Sequence, residues 1–302
     1  MCKPKVSVIM PVYNNPAHLR EAAESVLGQD IESLELIMIN DGSDDESVDI
    51  MRTLMESDER VVVCDQKERR GRSTSQNVGI EHARGEFLFF MNSMDVLHGG
   101  ALRRAYEKCR ARQLDLVFFD GEADGGECDE YHHTAPYDEI TIYRGLNLLS
   151  DMFSQGVYRP APWLMLISSA LVGQTGIRFY PGIVHADELF TILIYINADR
   201  AGCLKASLIT HRKIPGFTMD RVSSLYDAQC YITVVDELKA HSGRLPYLRP
   251  IVNKYASLCI GRLFSQARGL SLADKFRLRG CCASRGYLRY VPLSSRLLFW
   301  MP

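Results

Sequence analysis

The chain has no apolar run long enough to cross a bilayer as a helix, so a helical integral membrane protein is not expected. It has no Cys-x-x-Cys pair: its nine cysteines are scattered through the chain and odd in number, which argues against a zinc site or a disulfide framework and for a reducing compartment. No G-x-G-x-x-G follows the first strand-like run, which disfavours a dinucleotide oxidoreductase. Nor does G-x-x-x-x-G-K-[ST] occur, which disfavours a P-loop nucleotidase. Only five residues, Val6 to Met10, precede Pro11 as an apolar stretch, too short for the core of a signal peptide. The expectation is a cytosolic protein. A large charge of one sign is missing too, since the net charge is −2; yet residues 262–302 hold eight Lys or Arg and one Asp, a local +7 that leaves −9 for the rest.

What is present is a globular composition, 46% hydrophobic and 24% charged over 302 residues, sufficient for a large domain with an appendage. Strand-like runs recur at Val6 to Met10, Leu34 to Ile39, Val61 to Cys64, Phe87 to Met91 and Leu116 to Phe119, with helical patterns between most of them. That alternation predicts right-handed crossovers, an α/β fold and a mostly parallel sheet. The first helix takes Pro16 in its opening turn, repeats Leu19, Ala22, Ala23, Val26 and Leu27 at helical spacing, and stops at Gly28. Ser43 and Glu46 have capping-box spacing for a helix reaching about Met55, and a third helix is predicted from about Ser73 to Ala83.

The run Glu86 to Met91 ends abruptly in Asn92-Ser93-Met94-Asp95, which suits a central strand presenting polar groups where parallel sheets bind ligands. Other strand ends carry Asn, Asp and Tyr where glycine-rich loops carry glycine. Such side chains hydrogen-bond a base or a ribose, whereas glycine loops mainly cradle phosphate. Residues 121–137 read as a polar loop or hairpin, whose His132-His133 pair lacks a third ligand at metal spacing. Leu146 to Phe153 reads as helical and Trp163 to Ile167 as a short buried segment. In His185-Ala186-Asp187-Glu188-Leu189-Phe190, ionisable groups stand at the mouth of an apolar helix, where carboxylates also serve as dipole partners. Helices without further strands are expected from Val222 onward. From Arg262 the basic residues are interleaved with Phe264, Phe276, Tyr287, Tyr290, Leu297, Leu298, Phe299 and Trp300, a mixture that suits either an anionic bilayer surface or a basic helix packed on the core.

Over about residues 5–219 the chain resembles the family 2 inverting glycosyltransferases, bacterial enzymes with one nucleotide-sugar-binding sheet domain of GT-A fold. The resemblance rests on Val6-Ser7-Val8-Ile9-Met10-Pro11-Val12-Tyr13-Asn14, Asn40-Asp41-Gly42-Ser43, Gly71 with Asn77-Val78-Gly79-Ile80, and Ala83-Arg84-Gly85-Glu86, in the family's order. It implies that Pro11 and Tyr13 line a base pocket, that Asp41 accepts a hydrogen bond from the base, most often uracil, and that Arg72 approaches the diphosphate. It also implies that Asp187 is the catalytic base, although Ala186 stands where the family has Glu. His211-Arg212-Lys213-Ile214-Pro215-Gly216 is similar to an arginine-rich segment after the domain's last strand, shortened and with Phe217 where serine is common. Residues 220–302 then form a helical C-terminal region.

The family usually ends its central strand with Asp-Ser-Asp-Asp, whose first and third residues bind the ribose and a Mg²⁺ or Mn²⁺ ion. Asn92 and Met94 occupy those positions. Asparagine still bonds a ribose hydroxyl, as does Ser93, but a thioether is a poor ligand for a hard cation. Three outcomes remain open. Asp95 takes the ion, or Arg72, Arg212 and Lys213 stabilise the leaving diphosphate without metal, or transfer is lost and the protein only binds nucleotide sugars or a partner enzyme. The implied activity is transfer of a sugar, most often from a UDP-sugar, to a glycan or lipid-linked glycan of the cell surface, peripherally on the cytoplasmic membrane face and with no nucleic-acid partner.

Overall fold

The computed structural model describes residues 3–124, 131–212, 222, 224–292, 295 and 299. The chain divides into two compact units, Met1–Gly182 with Phe190–Lys213, and Ile183–Leu189 with Ile214–Pro302.

The first unit alternates strands and helices: β1 (Val6–Val12), α1 (Pro16–Leu27), β2 (Leu34–Asn40), α2 (Ser47–Ser57), β3 (Val61–Asp65), α3 (Arg72–His82), β4 (Phe87–Phe90), β5 (Val96–Leu97), α4 (Ala101–Arg112) and β6 (Leu116–Ala123). α5 (Gly145–Gln155), β7 (Met165–Ser168), α6 (Ser169–Thr175), α7 (Ala186–Asn197) and β8 (Ala201–His211) follow, α7 beginning within the second unit. Among the described residues these strands form one eight-stranded sheet in the order β3-β2-β1-β4-β7-β6-β8-β5. The predicted parallel pairing holds across β3-β2-β1-β4 and again for β6 with β8; β7 runs antiparallel between β4 and β6, and β5 antiparallel on β8. Every residue of β2 and β4 is buried, as expected for strands covered on both faces.

The strand-start edge is closed by a polar knot. Glu35, 2% exposed, accepts from Ser7 Oγ at 2.6 Å and from the Arg84 backbone N–H at 2.7 Å, and Arg84 Nη2 donates to it at 2.8 Å. Gly85 N–H donates to Ser7 Oγ, so β1, β2 and the start of β4 are tied together and a buried carboxylate is fully compensated. At the other end Phe90 packs edge-on against Phe179 and Phe190, whose rings stack at 3.8 Å.

Two expectations change. The capping box of Ser43 and Glu46 does not form: α2 starts at Ser47, whose N–H is taken by Asp45 Oδ1, while Ser43 Oγ accepts from Asn14 N–H. Side-chain bonds across the loop outcompete the local cap. Gly121 to Ala123 are not loop but the end of β6, paired in parallel with β8; Gly125 and Gly126 lie outside the described residues.

The second unit is helical among its described residues: α8 (Leu225–Arg244), α9 (Arg249–Gln266) and α10 (Leu272–Ser284). Ser224 caps α8 and Ser271 caps α10, each accepting the backbone N–H three residues on. Much of the basic, aromatic tail is core: Phe264, Tyr287 and Phe299 are buried, whereas Phe276 is 61% exposed. Leu297, Leu298 and Trp300 lie outside the described residues. No helix among the described residues is long and apolar enough to cross a membrane.

Candidate active site

The parallel block brings the ends of β1, β2 and β4 to one edge, so that Tyr13, Asp41 and Asn92 to Asp95 leave the sheet side by side. Pro11 pairs with Ile39 just inside this edge. The loops are tied by their own polar side chains. Asn14, at φ 44°, exchanges hydrogen bonds with Asp44, and Asn15 Nδ2 donates to Ser93 O and Oγ, both at 3.0 Å.

Asp41, 3% exposed, holds the loop before α3: Oδ1 accepts from Arg70 N–H at 2.7 Å and Gly71 N–H at 3.1 Å, and Oδ2 from Gly71 N–H at 3.0 Å. The loop comes so close to β2 that a Cβ on Gly42 would stand 2.7 Å from Arg69 N, and both Gly42 and Gly71 have positive φ. Held this way, the loop projects two cations. The Arg69 guanidinium lies 4.0 Å from the centre of the half-exposed Tyr13 ring, a cation–π stack. Arg72 Nη1 donates to Asn92 Oδ1 at 3.3 Å, and its guanidinium lies 5.9 Å from the Trp163 ring. Loss of hydration pushes that guanidinium below its ordinary value although part of the side chain is exposed, while Asp95 acts in the opposite direction. An arginine remains charged under such pressure.

Asp95 is wholly buried. Its Oδ2 accepts from Asn92 Nδ2 at 2.7 Å and its Oδ1 from Arg212 N–H at 3.3 Å, and His211 Nδ1 approaches Oδ1 to 2.9 Å, out of line for a hydrogen bond. His211 stacks on Trp163. Arg212 turns its guanidinium to Glu21 on α1, at 2.8 Å, and that pairing raises the Arg212 pKa. Lys213 lies outside the described residues.

These side chains do not fit a hard divalent cation. Asn92 presents its oxygen to Arg72, Met94 offers sulfur, and the Asp95 carboxylate is already surrounded by N–H groups. Among the described residues no group of three or more His, Cys, Asp or Glu stands together as a metal site.

Asp187 lies in the first turn of α7, in the part grouped with the second unit, and is 6% exposed. Its sequence neighbours are tethered within that unit. His185 Nε2 donates to Asp227 Oδ1 and the imidazole stacks on Tyr231 at 3.6 Å, while Glu188 pairs with Arg262 Nη2 at 2.7 Å.

The structure therefore assembles Arg72, Asn92, Ser93, Asp95 and Arg212 around the end of β4, and Pro11, Tyr13 and Asp41 at the ends of β1 and β2. Sequence reasoning missed Arg69, Trp163 and the tethers Asp227, Tyr231 and Arg262. Arg69 was legible as the start of an arginine-rich run before Gly71; the others lie far along the chain from what they touch.

Strand-end polar groups beside a four-strand parallel block, with an antiparallel strand inserted next to them, are arranged as in the GT-A fold. The structure of S. aureus TarS 1–349 in complex with UDP-GlcNAc superposes with a TM-score of 0.74 at 20% identity, covering 97% of this chain and 83% of that one. The chain belongs to glycosyl transferase family 2, whose family model matches residues 7–170. It is 32% identical over 224 residues to glycosyltransferase GlyG of Streptococcus pneumoniae serotype 4, covering 71% of this chain and 72% of GlyG. It is 27% identical over 217 residues to glycosyltransferase GlyA of the same organism, covering 69% of this chain but only 30% of GlyA.

Proposed function

We propose that the protein transfers a sugar, with inversion, from a nucleoside diphosphate sugar to a glycan or lipid-linked glycan of the cell surface. UDP-sugars are the preferred donor class. Pro11, Tyr13 and Asp41 take the base, Arg69 shifting from the Tyr13 face or stacking over the base in turn, and Asn92 and Ser93 take the ribose. The acceptor oxygen attacks the anomeric carbon as Asp187 accepts its proton. The bond from that carbon to the β-phosphate oxygen breaks, and the electron pair leaves with the diphosphate. The observation that carries this reading is the Arg72 guanidinium bonded to Asn92 beside the buried Asp95, a resident cation beside side chains that suit no divalent ion. Arg72 stabilises the charge on the leaving diphosphate, and Arg212 joins it on release from Glu21.

A second reading, donor binding without turnover, is favoured by the same end of β4: Asn92 and Met94 replace acids, Ala186 precedes Asp187, and Arg69 covers the Tyr13 face. Nucleotide release from a panel of UDP- and GDP-sugars, with Mn²⁺ and with a chelator, separates the two. Release that survives chelation and falls about 100- to 10,000-fold in Asp187→Asn, with donor binding kept, supports transfer. Donor binding without release supports the second reading, and calorimetry that detects no nucleotide-sugar binding sinks both.

A further inference from the structure

Within the second unit the segment that carries Asp187 is held on both sides. His185, two residues before it, donates to Asp227 in the first turn of α8 and lies flat on the Tyr231 ring, with rings 3.6 Å apart and 19° from parallel. Glu188, one residue after it and 3% exposed, is bound by Arg262 of α9 at 2.7 Å. Arg262 in turn stands 5.3 Å from the centre of the same Tyr231 ring, so both tethers converge on one aromatic side chain. Glu188 N–H donates to His185 O, which closes the turn between them.

This geometry constrains direction as well as place. Residues three apart at a helix start share a face, so His185 and Glu188 both point toward α8 and α9. Helical spacing puts Asp187 about 100° round the axis from Glu188, on a different face. One tether alone would leave the turn to pivot; two fix its rotation. Burial holds the His185 imidazole below its ordinary pKa, against the opposing pull of Asp227 and Glu188. Asp227 sits in the first turn of α8, where the helix amides point, and its own N–H is taken by Ser224.

We infer that His185 and Glu188, anchored by Asp227, Tyr231 and Arg262, are positioning residues that aim the Asp187 carboxylate, so that the C-terminal helices belong to the catalytic apparatus. The inference rests on the reading of Asp187 as the general base. A base displaced by about 1 Å costs on the order of 100-fold in rate while substrate binding elsewhere is untouched.

The test uses the full chain and two readouts. In nucleotide release from UDP- and GDP-sugars, His185→Ala and Arg262→Met should lower kcat about 10- to 100-fold with donor affinity by calorimetry within about twofold of wild type. His185→Gln, whose amide reaches Asp227, should recover most of the loss. Adding His185→Ala to Asp187→Asn should cost nothing more, because the histidine acts only through the aspartate. In hydrogen exchange, residues 183–189 should exchange faster in both single variants while β2 stays protected. Multiplied losses in the double variant, equal losses of donor affinity and kcat, or unchanged exchange in 183–189 would each overturn the inference. If Asp187→Asn abolishes release while His185→Ala and Arg262→Met stay folded and near wild-type rate, the tether fails on its own and the base stands. If Asp187→Asn turns over like wild type, the base reading is the one that fails.

Discussion

Asp95 and Asp187 are both buried carboxylates at element ends, yet their surroundings differ in kind. Asp95 is enclosed by N–H groups from its own site, Asn92 Nδ2 and Arg212 N among them, and so helps to fix the end of β4. The turn that carries Asp187 is held by His185 and Glu188, each bound to a helix of the second unit. Under the proposed transfer, the contrast teaches that a charge-stabilising group and a base can be prepared by different means. At the strand ends, charge is supplied by arginines projected from a loop; at α7, direction is supplied by tethers.

The comparison can be broken most directly at Arg72. Arg72→Met should lower nucleotide release about 100- to 1,000-fold, the scale on which a lost charge-stabilising donor slows transfer. Loss confined to added Mn²⁺ conditions, or no loss at all, would mean that the strand end supplies no cation of its own. Asp41→Ala sharpens the same side by unfastening the loop. It leaves the Arg70 and Gly71 N–H groups without their acceptor, and stability in urea should fall by about 1–3 kcal/mol. A fall of only a few tenths of a kcal/mol would show the loop to be held otherwise. The smallest effect is expected on the helical side. Leu272 and Phe276, one turn apart on α10, are 65% and 61% exposed beside the exposed Arg277 and Arg279. We expect binding to anionic liposomes that weakens with salt, reduced severalfold in Leu272→Ser with Phe276→Ser and unchanged in fold. Equal binding by that double variant would remove α10 as the contact. Deleting residues 262–302 is the wrong test, since it removes Arg262 and the buried Leu278 and Phe299.

Much of this architecture was legible from residues alone. Period and punctuation fixed β1, α1, β2 and β4 within a few residues because Pro16, Gly28 and the apolar runs act locally. The motif order pointed to Tyr13, Asp41, Asn92 and Asp95. Illegible were bonds whose partners are distant in sequence: nothing near Ser43 says that its hydroxyl will serve Asn14 in place of a helix, and nothing near His185 names Asp227. β5, two residues long, has too little pattern to read, and β7 is legible only as a buried run until its antiparallel pairing is seen.

The grouping of Ile183–Leu189 with the C-terminal helices has a consequence for how this chain can be divided or recombined. A cut after residue 219 respects the sequence motifs and keeps Asp187, but it strands that residue from Asp227, Tyr231 and Arg262. Grafting the sheet of one relative onto the helices of another would meet the same difficulty in reverse. The seven-residue segment and the helices that grip it belong to one unit, and shuffling should exchange them together.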